Sequence, residues 1–180
     1  MNEEWVPEAT RLAMIRILEH AELVGLANTE EFTFRSFFMA AACELLDKPR
    51  FQTEWRTFDL LVQADDTASL IEFKYYMSRP TYRLDGSPGP RKGGASAKNE
   101  REFHACVQKL RTTAIDGIDQ RRLVLVYHRD DHAPGRSSRS LHRSYGRLGP
   151  SASAARVWAF AHGALEARVL EPTPGSGRLG

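Results

Sequence analysis

Along its first quarter the chain spaces apolar residues as helices do, and then it switches to strand-like alternation. Leu12, Ile15, Ile17, Leu18, Leu23 and Val24 follow Pro7, which suits a first helical turn, and they predict a helix to about residue 24. Gly25 and Asn28-Thr29 break it. A second helix is expected from about Glu30 to Leu46, stopping before Pro49, with Phe34, Phe37, Phe38, Ala41 and Leu45 as its apolar stripe. Phe51 to Trp55 reads as a strand that bends at Arg56-Thr57. Further on, Phe103, Val107 and Leu110 mark the buried line of a third helix over about 98–113. Leu123 to Tyr127 is nearly all apolar, as befits a central strand covered on both faces. Residues 156–161 and 165–170 make a late hairpin around His162-Gly163. The order helix, helix, strand, hairpin, helix, strand, hairpin predicts an α/β fold, a central mixed β-sheet flanked by helices.

The organising stretch is Phe58 to Lys74. Phe-Asp-Leu-Leu-Val-Gln and Leu-Ile-Glu-Phe-Lys-Tyr-Tyr stand on either side of Asp65, Asp66 and Thr67, which reads as a β-hairpin. With an even-numbered loop, Asp65 to Ala68 for instance, Phe58 faces Tyr75, Leu60 faces Phe73 and Val62 faces Ile71, so one face is wholly apolar. A slip by one residue would bury Glu72 and Lys74 among aromatics. The opposite face must then carry Asp59, Glu72 and Lys74. In this register Asp59 lies opposite Lys74 and diagonal to Glu72, with Cβ atoms roughly 7 Å apart. Two carboxylates at that range can share a hard divalent cation, whose oxygen bonds are about 2.1 Å long for magnesium. An ammonium beside it can hold an attacking water and stabilise developing negative charge, a set suited to metal-assisted hydrolysis of a phosphodiester. A solvated cross-strand ion pair is the plainer reading of the same residues; Leu61 and Leu70 on that face speak against full solvation.

Asp59, twelve intervening residues, then Glu72-Phe73-Lys74 resembles the core motif of the PD-(D/E)xK nuclease superfamily, whose fold is restriction-endonuclease-like. The resemblance implies Asp59 and Glu72 as metal ligands, the main-chain carbonyl of Phe73 as a further ligand, Lys74 as the catalytic lysine, and Mg²⁺ as cofactor, with Mn²⁺ able to substitute. Phe58 stands where the motif's name has proline, a position that takes no part in the chemistry. Members commonly add an acidic residue from the helix ahead of the hairpin. Glu31, Glu30 and Glu44 are the candidates, and Glu31, one and two turns ahead of Phe34/Arg35 and Phe38, is preferred. Glu30 and Glu31 would also complement the helix dipole, each by about 0.3–1 kcal/mol. Gln108 and Lys109 resemble the polar residues that relatives place on the helix after the motif, and Gln108 is taken as the site residue. Glu54 is a further outer acid, or an ion-pair partner of Arg56 or Lys48.

At 180 residues the expectation is one domain over 1–172, with mobile basic inserts near 78–97 and 130–154 and a flexible tail over 173–180. No apolar run approaches the roughly 20 residues of a membrane span, and the first residues lack a signal peptide's pattern. A cytoplasmic protein is expected, with Cys43 and Cys106 as buried reduced thiols. The net charge of +2 hides an asymmetry: residues 1–78 carry 7 Lys/Arg against 14 Asp/Glu, and residues 79–147 carry 15 against 7. A basic half beside an acidic cation site suits a polyanion, and the nuclease resemblance implies nucleic acid as partner, DNA more than RNA. Arg79, Arg83, Arg91 and Lys92 in the first insert, with Lys98 just after it, could close on phosphates, while Arg136, Arg139, Arg143, Arg147 and Tyr145 make the second either a disordered insert or another arm for nucleic acid. Other chemistries find no support: His128 and His132 lack a zincin glutamate, no Gly-x-Ser-x-Gly elbow occurs, and Cys106 has only His104 nearby in sequence. The expected function is thus a metal-dependent nuclease, endo- or exo-, in DNA processing or defence against foreign DNA, with a homodimer as one assembly that would cut both strands. The competing expectation is a catalytically inactive module of the same fold that binds nucleic acid or a protein partner.

Overall fold

The alternating stretch forms the middle of a mixed sheet. The computed structural model describes residues 4–77, 82–89, 97–129 and 154–173. Among these, three α-helices, α1 (Trp5–Val24), α2 (Glu31–Leu45) and α3 (Ala97–Thr112), accompany six strands: β1 (Arg50–Trp55), β2 (Phe58–Ala64), β3 (Thr67–Tyr76), β4 (Gln120–His128), β5 (Ala154–His162) and β6 (Leu165–Pro172). The sheet order is β1-β2-β3-β4-β6-β5. β1, β2 and β3 form an antiparallel meander. β4 runs parallel to β3, which demands a crossover, and α3 lies within it. β6 and β5 complete the sheet in antiparallel fashion. The second insert apart from Ala154, the tail over 174–180 and the first insert apart from 82–89 and 97 lie outside the described residues, as do Arg79, Arg91, Lys92, Arg136, Arg139, Arg143, Arg147 and Tyr145. Within 82–89 the chain makes a local turn, with the Arg83 N–H donating to the Ser87 carbonyl at 2.9 Å.

Each face of the sheet has its own core. α1 and α2 cover one, where Trp5, Phe34 and Phe38 meet Leu60, Val62, Ile71, Phe73, Val124 and Val169. α3 covers the other, where Phe103, Val107 and Leu110 meet Leu61, Leu70, Leu123, Leu125 and Tyr127. β4, sandwiched between them, is buried from Arg122 through His128, as its unbroken apolar run requires. Full burial of each large side chain contributes about 1.5–3 kcal/mol, so the aromatic stripe of α2 fixes that helix firmly. Phe38 meets Phe73 edge-on with ring centroids 5.1 Å apart, and Phe34 stacks on Tyr75 at 5.8 Å. Leu45, expected in the stripe, is instead exposed at the helix end.

The hairpin register differs from the sequence expectation by two residues. Leu60 pairs with Ile71 and Val62 with Ser69, and the loop is the two-residue turn Asp65-Asp66, with Asp65 left-handed at φ 50°. A shift by two preserves which face each side chain takes, so the partition of faces survives while the partners change. Phe58 is a second difference. It packs with Trp55 in the α3 layer, apart from Leu60 and Val62. Glu54, left-handed at φ 52°, interrupts β1's alternation and turns the end of the β1–β2 hairpin over.

Candidate active site

The fork where β2 leaves β3 creates the site. Pairing of these strands ends at Leu60 with Ile71, while β3 continues to Tyr76 alongside β4. The main-chain N–H groups of Phe73 and Tyr75 therefore need other acceptors. Carboxylates supply them. The Phe73 N–H donates to Asp59 Oδ2 at 2.7 Å, and the Tyr75 N–H donates to Glu31 Oε2 at 3.2 Å. Glu31 reaches β3 because Phe34, one turn further along α2, is seated on Phe73 and Tyr75. Asp59 and Glu72 are near enough for the charge of one to bear on the other.

Arg35 fixes this end of β2. Its buried guanidinium donates to the Asp59 carbonyl at 3.1 Å and pairs with Glu54 at 2.6 Å. Glu54 is therefore the partner of neither Arg56 nor Lys48. An arginine one turn after Glu31, inside an aromatic stripe, was the sequence signal for this role.

From the α3 side, Glu72 is 1% exposed, and its Oε1 accepts a hydrogen bond of 2.5 Å from Lys109 Nζ. Burial pushes the Glu72 carboxyl above its ordinary range; the bond from Lys109 opposes this, and the nearby Asp59 adds to it. Lys74 Nζ donates to the Phe73 carbonyl at 2.9 Å. Burial would lower the Lys74 pKa, but Cys106, Glu31, Asp59 and Glu72 surround it and the net result is a raised value, so the ammonium stays charged.

Glu31 is pushed up to about 7, chiefly by burial, with Asp59 adding and Lys74, the Tyr75 N–H and Arg35 opposing. An acid whose folded pKa exceeds its unfolded value stabilises least when ionised. With 4.5 as the ordinary value and about 7 in the fold, the metal-free protein loses stability as pH rises through this window. Glu31→Gln retains an oxygen for the Tyr75 N–H and cannot ionise. It is expected to gain on the order of 1–2 kcal/mol over wild type between pH 5 and pH 8. Thermal unfolding with a chelator present, at both pH values, checks this; a difference independent of pH contradicts it.

Asp59, Glu72, Lys74, Glu31 and the Phe73 carbonyl thus come together. Gln108 does not. It is exposed on α3, where its Oε1 accepts from Arg111 at 3.4 Å, and Lys109 stands at the cluster in its place. Glu44 pairs with Arg16 at 2.7 Å, and Glu30 is exposed at the start of α2. Cys106 borders Glu72 and Lys74, and burial pushes its thiol up to about 11. Cys43 is exposed, contrary to expectation, because it lies off the apolar stripe of α2. Iodoacetamide at pH 8 is accordingly expected to alkylate Cys43 well ahead of Cys106, as peptide mapping by mass spectrometry would show; equal rates would contradict this placement.

The donors suit a hard cation. Asp59 and Glu72 offer carboxylate oxygens and Phe73 a carbonyl, the chemistry that Mg²⁺ and Mn²⁺ prefer. A carboxylate has about four acceptor positions, so the bonds to the Phe73 N–H and Lys109 do not exhaust either acid. Among the described residues no group of three or more His, Cys, Asp or Glu side chains is gathered to hold a metal by itself, so a cation here would depend on the main-chain carbonyl and on water. No helix among the described residues is long and apolar enough to cross a membrane. No family model matches the chain, and neither a curated protein nor a solved structure matches it.

Proposed function

We propose that the protein is a metal-dependent nuclease of the restriction-endonuclease-like, PD-(D/E)xK type, acting on DNA in preference to RNA. The observation that carries this reading is the fork itself. It sets Asp59 and Glu31 on the free N–H groups of β3 while Glu72 and Lys74, from that same strand, complete a half-buried cluster. The strand order supports it: a meander, then α3, then a strand parallel to the third. Asp59, Glu72 and the Phe73 carbonyl would hold Mg²⁺, which supplies positive charge for water activation and for the phosphate oxygens. Lys74 would orient the attacking water. Its oxygen forms the new P–O bond, the bond to the leaving sugar oxygen breaks, and the water's protons pass to solvent and to that oxygen. Glu31 shapes the field around Lys74. A cytoplasmic setting supplies both nucleic acid and Mg²⁺, and a homodimer would let two sites cut two strands.

One observation favours the competing module. Lysine ammonium groups already sit on Glu72 and on the Phe73 carbonyl, as they would in a retired site that keeps its fold for binding. Incubation with plasmid, linear duplex, single-stranded DNA and RNA, in Mg²⁺, Mn²⁺ or chelator, separates the two. Metal-dependent cleavage with DNA preferred is the expected result. Salt-sensitive retention of duplex with no cleavage under any metal would establish the module.

A further inference from the structure

We propose that Lys109 is an exchangeable counter-charge for the cation site: its ammonium holds Glu72 in the metal-free protein and yields Glu72 Oε1 to a divalent cation. This deepens the nuclease reading and rests on it. Glu72 has 2% of its side chain exposed, whereas Lys109 has 28%. A carboxylate buried that far needs a positive partner whenever it is ionised, and the site provides one before a cation arrives. Lys109 is also placed to let go. Its Nζ donates to the Thr57 carbonyl at 2.6 Å and lies 4.7 Å from the centroid of the Phe58 ring. Both contacts remain to it once Glu72 turns to a cation, and its exposure allows water to take the third N–H. An ion pair serving only to tie α3 to the sheet would be better made with a residue outside the donor set.

A counter-charge and a positioning residue predict opposite signs. A group that only orients Glu72 should weaken cation binding when removed. A competing charge should strengthen it, because the neutral variant loses both the repulsion and the partner that shields Glu72.

The test is titration of the full chain with Mn²⁺, free ion being read by electron paramagnetic resonance, for wild type, Lys109→Met, Lys109→Gln and Lys109→Arg. The neutral variants are expected to bind Mn²⁺ about tenfold or more tightly than wild type. Lys109→Arg, which keeps the charge, should stay within about threefold of it. If wild type binds and the neutral variants bind equally or more weakly, the counter-charge role is overturned while the metal site stands. If no protein binds Mn²⁺, the metal site falls and the counter-charge with it. Should the neutral variants unfold without metal, recovery of their circular dichroism on adding Mn²⁺ supports the role. Failure to recover overturns it.

Discussion

Lys74→Ala is expected to abolish metal-dependent cleavage, lowering the rate about 10²–10⁴-fold, the range observed when a positioned proton-transfer or charge-stabilising group is removed. The size of the effect follows from where the ammonium sits. Lys74 is partly buried and surrounded by Cys106, Glu31, Asp59 and Glu72, so in the proposed reaction it would act on a phosphate through a medium far less screening than water. Solvent can replace neither its charge nor its position. Its bond to the Phe73 carbonyl is local, so alanine breaks no long-range hydrogen bond, but it takes a positive charge away from Glu31, Asp59 and Glu72, and circular dichroism of the variant checks that the fold persists. Single-turnover cleavage at saturating metal checks the rate, and the Mn²⁺ titration shows whether the cation still binds. Undiminished cleavage by Lys74→Ala would remove the lysine from the chemistry. Loss of cleavage together with loss of metal binding would assign it to the cation site instead.

Phe38→Ala is expected to cost about 3–5 kcal/mol, the range for deleting a fully buried aromatic side chain. Phe38 is 0% exposed and lies between Trp5 and Phe73, with ring centroids 5.8 and 5.1 Å away. It thus joins α1, α2 and β3 at one point, and neither α1 nor the sheet can collapse into the space without moving the other. For a chain of this length the loss corresponds to a fall in Tm of roughly 6–20 °C. Phe37→Ala makes the comparison, because Phe37 is only partly buried and meets His20 edge-on at 5.7 Å; its loss should be smaller. Thermal unfolding of both variants decides the matter. A Phe38→Ala loss below about 1 kcal/mol would mean that α2 is not seated on Phe73 as described.

Much of this architecture could be read from periodicity, and the places where reading stopped have identifiable physical causes. Helix and strand limits were legible because apolar spacing changes abruptly from about 3.6 to 2 residues. α2 and β4 show it most clearly. The hairpin's faces were legible for the same reason, which is how Asp59, Glu72 and Lys74 could be grouped. Its register was not, since alternation fixes faces and leaves even shifts undetermined. The turn that sets the register, Asp65-Asp66, carries none of the glycine or asparagine that marks a tight turn. The layer that Phe58 takes is not legible in the sequence, because the reversal of alternation depends on a left-handed Glu54, a conformation that glutamate seldom adopts.

Gln108 and Lys109 differ in the flank of α3 that each occupies. Successive residues turn about 100° around a helix, which sets these two on opposite flanks of the Phe103–Val107–Leu110 line. Which flank meets the hairpin depends on how α3 crosses from β3 to β4, and no local pattern records that. The crossing brings Cys106 and Lys109 to Glu72 and leaves Gln108 outside. The place of Glu31 ahead of Phe34 is legible in the sequence, and aromatic packing carries it to the Tyr75 N–H.

The most direct measurement is anomalous diffraction from crystals soaked in Mn²⁺ at its absorption edge. Strong density bounded by the carboxylates of Asp59 and Glu72 and the carbonyl of Phe73, with Lys109 Nζ withdrawn from Glu72 Oε1, is the predicted result. A saturated soak that leaves Lys109 on Glu72 and places no manganese beside Asp59 would contradict it.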